Sequence, residues 1–289
     1  MTSLQVIRYT DASLFWAKAQ AFLVQHEAAH CLIIGLTQTL IQRPSWHLES
    51  VLVTVEDADG GIVAVALRTP PRSVILSLTQ SAEAMALIAD DLYALDPTMR
   101  GFMAAHEVGR LFGERWAALS GQAFHMDVPE RIYQIETVKP VSNVSGTMRR
   151  ITPDDGELIL DWVIAFELEA FGTAMEREKR VVWVQEALDG VLRGVFVWED
   201  GGVPVCMVGY AGPTPNGIRI GPVYTPPENR GRGYASACTA AATQMLMAEG
   251  ARRYCFLFTD LNNLTSNKIY QHIGYTPVID WGMFVFAAE

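Results

Sequence analysis

Apolar and polar positions in the second half of the chain alternate in blocks that predict a definite order of elements. Residues 147–151 have the composition of a short strand. Thr152 then Pro153 reads as an N-cap followed by proline at the first helical position, with Asp154 and Asp155 in the first turn. The helix is expected to run to about Phe171 and stop near Gly172. A second helix is expected over 175–188, ended by Asp189-Gly190. Strand-like runs at 191–199 and Val203–Ala211 flank Asp200-Gly201-Gly202, which is hairpin spacing. Thr214-Pro215-Asn216-Gly217 is a further turn into a strand at 218–224. Residues 231–250, rich in Ala, Met and Leu, read as a helix, 253–259 as an apolar strand, 266–273 as a short helix and 281–286 as a last strand.

The first half follows a similar order. Gln5–Tyr9 reads as a strand, Thr10 as the cap of a helix over 11–24, and a second helix runs to about residue 41. Strands are expected at 50–55, 61–68 and 73–78, with Asp59-Gly60-Gly61 as a hairpin turn. Helices at 81–94 and 105–119 follow, then a strand near 131–138. Residues 139–146 lack periodicity and carry Pro, Ser, Asn and Gly, as a linker would. The pattern predicts an α+β chain with mainly antiparallel sheets flanked by helices, cut into 1–140 and 146–289. A diverged repeat and two unrelated α+β halves would look alike at this resolution.

Composition narrows the partners. The 289 residues hold 22 Lys+Arg against 32 Asp+Glu, a net charge of −10. Each half carries −5 (10 basic and 15 acidic residues up to 145; 12 and 17 after it). A nucleic-acid binder led by phosphate contacts needs a Lys/Arg surface, so that class is disfavoured. The cysteines, Cys31, Cys206, Cys238 and Cys255, form no C-x-x-C pair and read as reduced thiols of a cytoplasmic protein. The opening residues show no basic stretch followed by an apolar one, so no secretory signal is expected. The longest apolar run, at 31–36, is far short of the ~20 residues that span a bilayer.

The most informative stretch is Gly221-Pro222-Val223-Tyr224-Thr225-Pro226-Pro227-Glu228-Asn229-Arg230-Gly231-Arg232-Gly233-Tyr234-Ala235-Ser236. A strand ends, prolines turn the chain, and a Gly-x-Gly segment opens a helix. Successive backbone N–H groups at such a turn form an anion cradle, and the helix dipole adds to it. Gly231 and Gly233 let an anion approach the backbone with no Cβ in the way. Arg230 and Arg232 add charge, and Ala235 and Ser236 keep the first turn small. The natural ligand of such a cradle is a diphosphate. Taken alone, two glycines that only break the chain before a helix would look the same. The segment is not the dinucleotide fingerprint, which would need Gly at Ser236.

Arg230-Gly231-Arg232-Gly233-Tyr234-Ala235 resembles the Gln/Arg-x-x-Gly-x-Gly/Ala signature of the GNAT superfamily of acetyl-CoA-dependent N-acetyltransferases. Downstream, Asn263-Leu264-Thr265-Ser266-Asn267-Lys268-Ile269-Tyr270-Gln271-His272-Ile273-Gly274-Tyr275 resembles the family's Asn-x-x-Ala-x-x-x-Tyr-x-x-x-Gly-Phe/Tyr segment, with Ser266 in the alanine place. The resemblance covers residues 146–289 and implies two tandem GNAT-like domains, the second competent and the first degenerate. It implies a bulged strand through Gly221-Pro222, with pantetheine pairing to the backbone at Val223 and Thr225 beside Tyr224. It places the pyrophosphate on the amides of 231–236, including Tyr234, and makes Asn263 and Asn267 cofactor contacts. Tyr270 corresponds to the family's general acid, which protonates the leaving thiolate. No metal is implied, and the acceptor is a small-molecule or peptide amine. No general base is visible, although Glu228 and Glu199 are possible. A non-catalytic CoA-binding module, or transfer of another acyl or aminoacyl group, would carry the same motifs.

Two features of the first half need weighing. Arg100-Gly101-Phe102-Met103-Ala104-Ala105-His106 is read as the counterpart of the cradle, and it lacks a second glycine at the cradle spacing. His26-Glu27-Ala28-Ala29-His30 is a formal H-E-x-x-H, which on a helix is the ligand pattern of zinc peptidases. A metallopeptidase is the outside alternative, and polar residues on an amphipathic helix are the plain reading.

Overall fold

A computed structural model describes residues 3–287. In chain order the elements are β1 (Gln5–Tyr9), α1 (Ala12–Val24), α2 (Glu27–Gln42), β2 (Val51–Glu56), β3 (Ile62–Arg68), β4 (Val74–Leu76), α3 (Ala82–Leu95), β5 (Gly101–Ala105), α4 (His106–Ser120), β6 (Phe124–Ile135), β7 (Thr147–Arg150), α5 (Gly156–Phe171), α6 (Arg177–Asp189), β8 (Arg193–Asp200), β9 (Val203–Ala211), β10 (Gly217–Tyr224), α7 (Tyr234–Glu249), β11 (Tyr254–Asp260), α8 (Leu264–Ile273) and β12 (Thr276–Phe286). The chain divides into two compact units. The first is Met1–Ile132, Phe258–Asn263 and Pro277–Glu289; the second is Tyr133–Leu257 and Leu264–Thr276.

In the second unit the strands lie in the order β11-β10-β9-β8-β7. All pairs are antiparallel except β10 with β11. Apolar residues on both sheet faces are covered. One core joins Phe196, Val208 and Ile220 to Tyr234, Ala237 and Cys238 of α7 and Tyr270 and Ile273 of α8. The other joins Val195, Val197 and Met207 to Ile159, Leu160 and Val163 of α5 and Val184 and Ala187 of α6. The expected start of α5 is present as a 3-10 turn, Pro153–Asp155. There the Asp155 carboxylate accepts the Thr152 N–H at 2.7 Å. Arg149 bonds Asp155 at 2.7 Å and Glu199 at 2.6 Å. Chiefly through that guanidinium, the Asp155 carboxyl is held down to about 2.

The first unit repeats the connectivity, with strand order β1-β2-β3-β4-β5-β12. All its pairs are antiparallel except β4 with β5. Asp11, one residue past the expected Thr10, caps α1 by accepting the N–H of Ser13 at 2.6 Å and of Leu14 at 3.2 Å. One strand, β5, is absent from the sequence reading. Its residues, Gly-Phe-Met-Ala-Ala, carry no β-branched side chain, and β propensity alone passes over them. β12 seats beside it in register from Trp281↔Ala105 to Val285↔Gly101. Phe284 stacks on Phe102 at 4.8 Å and Phe286 on Trp116 at 4.8 Å. Thus the spatial division differs from a single cut at 140–146, because the end of the chain completes the first unit.

Phe284→Ala removes a buried ring from that pairing and is expected to destabilise the first unit by about 3–5 kcal/mol. Amide hydrogen exchange should then accelerate at Gly101–Ala105 while α7 keeps its protection. Acceleration confined to the second unit would contradict the assignment of β12.

Candidate functional site

The site grows from an irregularity in β10. Its pairing with β9 shifts register between Ile220 and Val223, the mark of a bulge. Gly221 sits there at φ +136°, outside the range that side chains favour. Gly209 on β9 must also be small, since a Cβ would lie 2.8 Å from the Gly221 carbonyl oxygen and from Pro222 Cδ. Val223 and Tyr224 remain paired to Val208 and Met207 of β9. On the other edge, β10 pairs β11 only from Gly217↔Tyr254 to Arg219↔Phe256. Beyond the strand, the Thr225 Oγ1 atom is buried with no hydrogen-bond partner among the described residues.

After a 3-10 turn at Pro227–Asn229, the chain reaches Gly231 at φ +77° and Gly233 at φ +83°. Gly233 is the N-cap of α7 and offers no side-chain acceptor. Among the described residues, no backbone N–H from 231 to 236 donates to a protein acceptor; the first that does is Ala237, to the Gly233 carbonyl at 3.0 Å. A helix start always leaves several N–H groups without an intrahelical partner. Here the two glycine conformations add the amides that precede the helix. Residues 231–233 are exposed, and Ala235 and Ser236 are half-buried.

Several of the side chains expected at the cofactor are engaged by the protein itself. The Arg230 guanidinium points to protein: it donates to the Thr225 carbonyl at 2.8 Å and pairs with Glu169 of α5 at 2.7 Å. It also lies 5.8 Å over the Tyr224 ring. It therefore fastens the turn to α5. Arg232 is exposed and lies near enough to Asp200 to stabilise its negative charge. Tyr234 is buried, and its hydroxyl donates to Asp200 Oδ2 at 2.5 Å. Tyr224 is buried against α5 with its hydroxyl 3.4 Å from Glu169, and burial raises its phenol above the ordinary value. Asn263 is the exposed residue directly before α8 and is counted with the first unit. Asn267 is buried, where its Oδ1 accepts from the Tyr133 hydroxyl at 3.0 Å. Gln271 donates to that same hydroxyl at 3.0 Å, so these polar groups tie α8 to Tyr133.

Tyr270, on α8, lies in the core beside Tyr275, with ring centroids 6.0 Å apart. Burial first, and the nearby Cys206 second, push its phenol well above the ordinary value. Its hydroxyl makes no hydrogen bond among the described residues. Of the two candidate bases, Glu199 is engaged by Arg149, and Glu228 is exposed in the 3-10 turn. Asp200, Glu169 and Tyr133 escape sequence reasoning. Asp200 is legible only as part of a hairpin turn, and the other two carry no local pattern.

The counterpart of the cradle in the first unit is the β4–α3 turn, one strand earlier than Arg100–His106. There side chains of the unit accept three of the amides. Leu78 N–H donates to His30 Nε2 at 2.9 Å, Ser81 N–H to Thr79 Oγ1 at 3.1 Å, and Ala84 N–H to Ser81 Oγ at 3.1 Å. This also decides the H-E-x-x-H pattern. His30 is fully buried, and its Nδ1 lies 2.9 Å from the Leu23 carbonyl. With one ring nitrogen donating and the other accepting, no lone pair is left for a metal. No group of metal-ligating side chains occurs among the described residues. Among them, too, no helix is long and apolar enough to cross a membrane.

Residues 157–275 match the model of the Acetyltransferase (GNAT) family. No curated protein sequence matches the chain. Solved structures align along nearly all of it. A tandem GNAT protein from the clavulanic acid biosynthesis pathway is 16% identical, with 99% of this chain and 98% of that chain covered and a TM-score of 0.59. A GCN5-related N-acetyltransferase from Sphaerobacter thermophilus is 18% identical over 98% and 95% of the two chains, TM-score 0.60. A GNAT-family acetyltransferase from Colwellia psychrerythraea is 14% identical over 99% and 100%, TM-score 0.57. The fold is a tandem of two GNAT-like α+β units.

Burial lowers His30 to about 4. Between that value and the ordinary one near 6.5, the unfolded chain takes up a proton that the native chain refuses, so stability falls as pH falls. The loss should reach about 3 kcal/mol between pH 7 and pH 4. Urea unfolding of His30→Gln should show a pH slope shallower by up to one proton. An unchanged slope would contradict the neutral, doubly bonded imidazole.

Proposed function

We propose, from the match of residues 157–275 to the GNAT acetyltransferase family model, that the protein moves an acetyl group from acetyl-CoA to a primary amine within a ternary complex. The observation that carries this reading is the run of unpartnered amides at 231–236. Six donors in sequence, two of them on glycines with positive φ, suit an anion with several oxygens, such as a diphosphate. The orphaned Thr225 Oγ1 and the short β10–β11 pairing offer polar contacts for an extended amide-bearing arm.

Acetyl-CoA supplies an activated thioester whose sulfur must leave as a thiol. Tyr270 would hold the proton for it. A phenol ordinarily lies near 10 and a thiol near 8.5. Burial raises the phenol further, yet the same low-dielectric surroundings raise a buried thiolate's proton affinity too. Tyr270 therefore stays protonated at all ordinary pH and can donate to developing negative charge. The amine's proton would pass to solvent or to a carboxylate reached through water. The four free, buried cysteines suit a reducing compartment, and we assign the reaction to the cytoplasm. The negative charge of the chain favours a cationic amine acceptor over an acidic one.

Acetyl-CoA should raise the melting temperature, because it would bind only the folded chain; no shift at millimolar concentration would refute the reading. With an acceptor found by thiol release across an amine panel, Tyr270→Phe should lower kcat by about 10²-fold and leave acetyl-CoA affinity unchanged. Unchanged turnover would remove Tyr270 from the chemistry.

A further inference from the structure

One carboxylate outside both family motifs bonds directly to the first residue of α7. Asp200 ends β8 at the hairpin turn with Gly201 and Gly202. Its Oδ2 accepts two hydroxyls, Tyr234 at 2.5 Å and Ser145 at 2.7 Å. Tyr234 is the first residue of α7, immediately after Gly233, so its backbone amide is itself one of the free donors. Ser145 belongs to the irregular segment at 139–146. That segment is pinned in turn by the Trp198 Nε1–H, which donates to the Ser145 carbonyl at 2.7 Å. Beside it, Val144 lies so close to Gly233 that a Cβ there would come within 2.9 Å of Val144 Cγ2. Three separate pieces of chain therefore meet at the mouth of the cradle: the β8 turn, the 139–146 segment and the start of α7.

We propose that Asp200 is a positioning residue for the diphosphate site, clamping Tyr234 so that the amides at the start of α7 face outward in a fixed geometry, with the 144–146 segment as the strap over that clamp. The proposal rests on the reading of 231–236 as an acyl-CoA cradle. A carboxylate next to an anion site is repulsive on charge alone, so its presence calls for an offsetting role. The hydrogen bonds supply it. An ionised acceptor makes the stronger kind of hydrogen bond, and preorganised donors avoid the ordering cost of binding. Arg232, near Asp200, offsets part of the charge.

The test measures the dissociation constant of acetyl-CoA for the full-length wild type, Tyr234→Phe, Asp200→Ala, Asp200→Asn and the Tyr234→Phe/Asp200→Ala pair. Tyr234→Phe removes one oxygen and leaves every charge in place. It should weaken binding about three- to tenfold. Asp200→Ala should do the same, and the double variant should be no weaker than the weaker-binding single, since both cut one link. Asp200→Asn keeps an acceptor and should recover most of the affinity. If the wild type binds and both single variants bind within twofold of it, the clamp is refuted while the cradle stands. If Asp200→Ala does not fold, Tyr234→Phe alone decides. If the wild type does not bind acetyl-CoA, the cradle reading falls and takes the clamp with it.

Discussion

The second unit is organised around backbone amides that the chain itself does not satisfy. A buried N–H without a partner is costly, so a protein leaves such groups bare only where water or a ligand reaches them. Residues 231–236 carry such bare groups at a turn whose first three residues are exposed. Gly231 and Gly233 both have positive φ, and the start of α7 continues the run of unpartnered amides. The surroundings hold this backbone. Arg230 ties the turn to α5 through Glu169 and to the end of β10 through the Thr225 carbonyl. Asp200 ties the first helical residue to the β8 turn. A chain of net charge −10 can thus present an anion site built from dipoles rather than from lysines and arginines.

The two units show what decides whether such a turn remains a site. Both have a parallel strand pair joined by a helix on the same connectivity. In the first unit a histidine, a threonine and a serine accept the amides of the turn, which becomes ordinary capped structure. In the second unit Gly233 holds the N-cap place of Ser81, and Gly231 stands two residues before it as Thr79 does before Ser81, so neither place offers a side-chain acceptor. The difference between a core turn and an anion cradle lies in a few side chains, while the fold is shared.

Much of this architecture is legible in the sequence because it is local. The hairpin strand Val203–Ala211 and the Thr152-Pro153 helix start depend on neighbours in sequence, and the structure has them where the pattern puts them. The Gly-x-Gly turn is legible for the same reason. What the sequence hides is non-local. β5 exists because β12 and β4 flank it, and its Gly-Phe-Met-Ala-Ala composition does not announce a strand. β5 also moves the counterpart of the cradle by one element, from 100–106 to the β4–α3 turn. Arg230 looks like an anion ligand until Glu169, 61 residues away, is seen to hold it. The H-E-x-x-H pattern looks like a metal site until the Leu78 amide is found on His30. In each case the deciding partner comes from a distant part of the chain.

The central claim is that 231–236 hold a diphosphate through their backbone. Amide hydrogen exchange of the full-length protein with and without acetyl-CoA tests it most directly. The account expects slowed exchange at 231–236 on adding acetyl-CoA, with Leu78, Ser81 and Ala84 of the first unit unchanged, because those amides already have partners. Protection that appears elsewhere while 231–236 continue to exchange freely would contradict it.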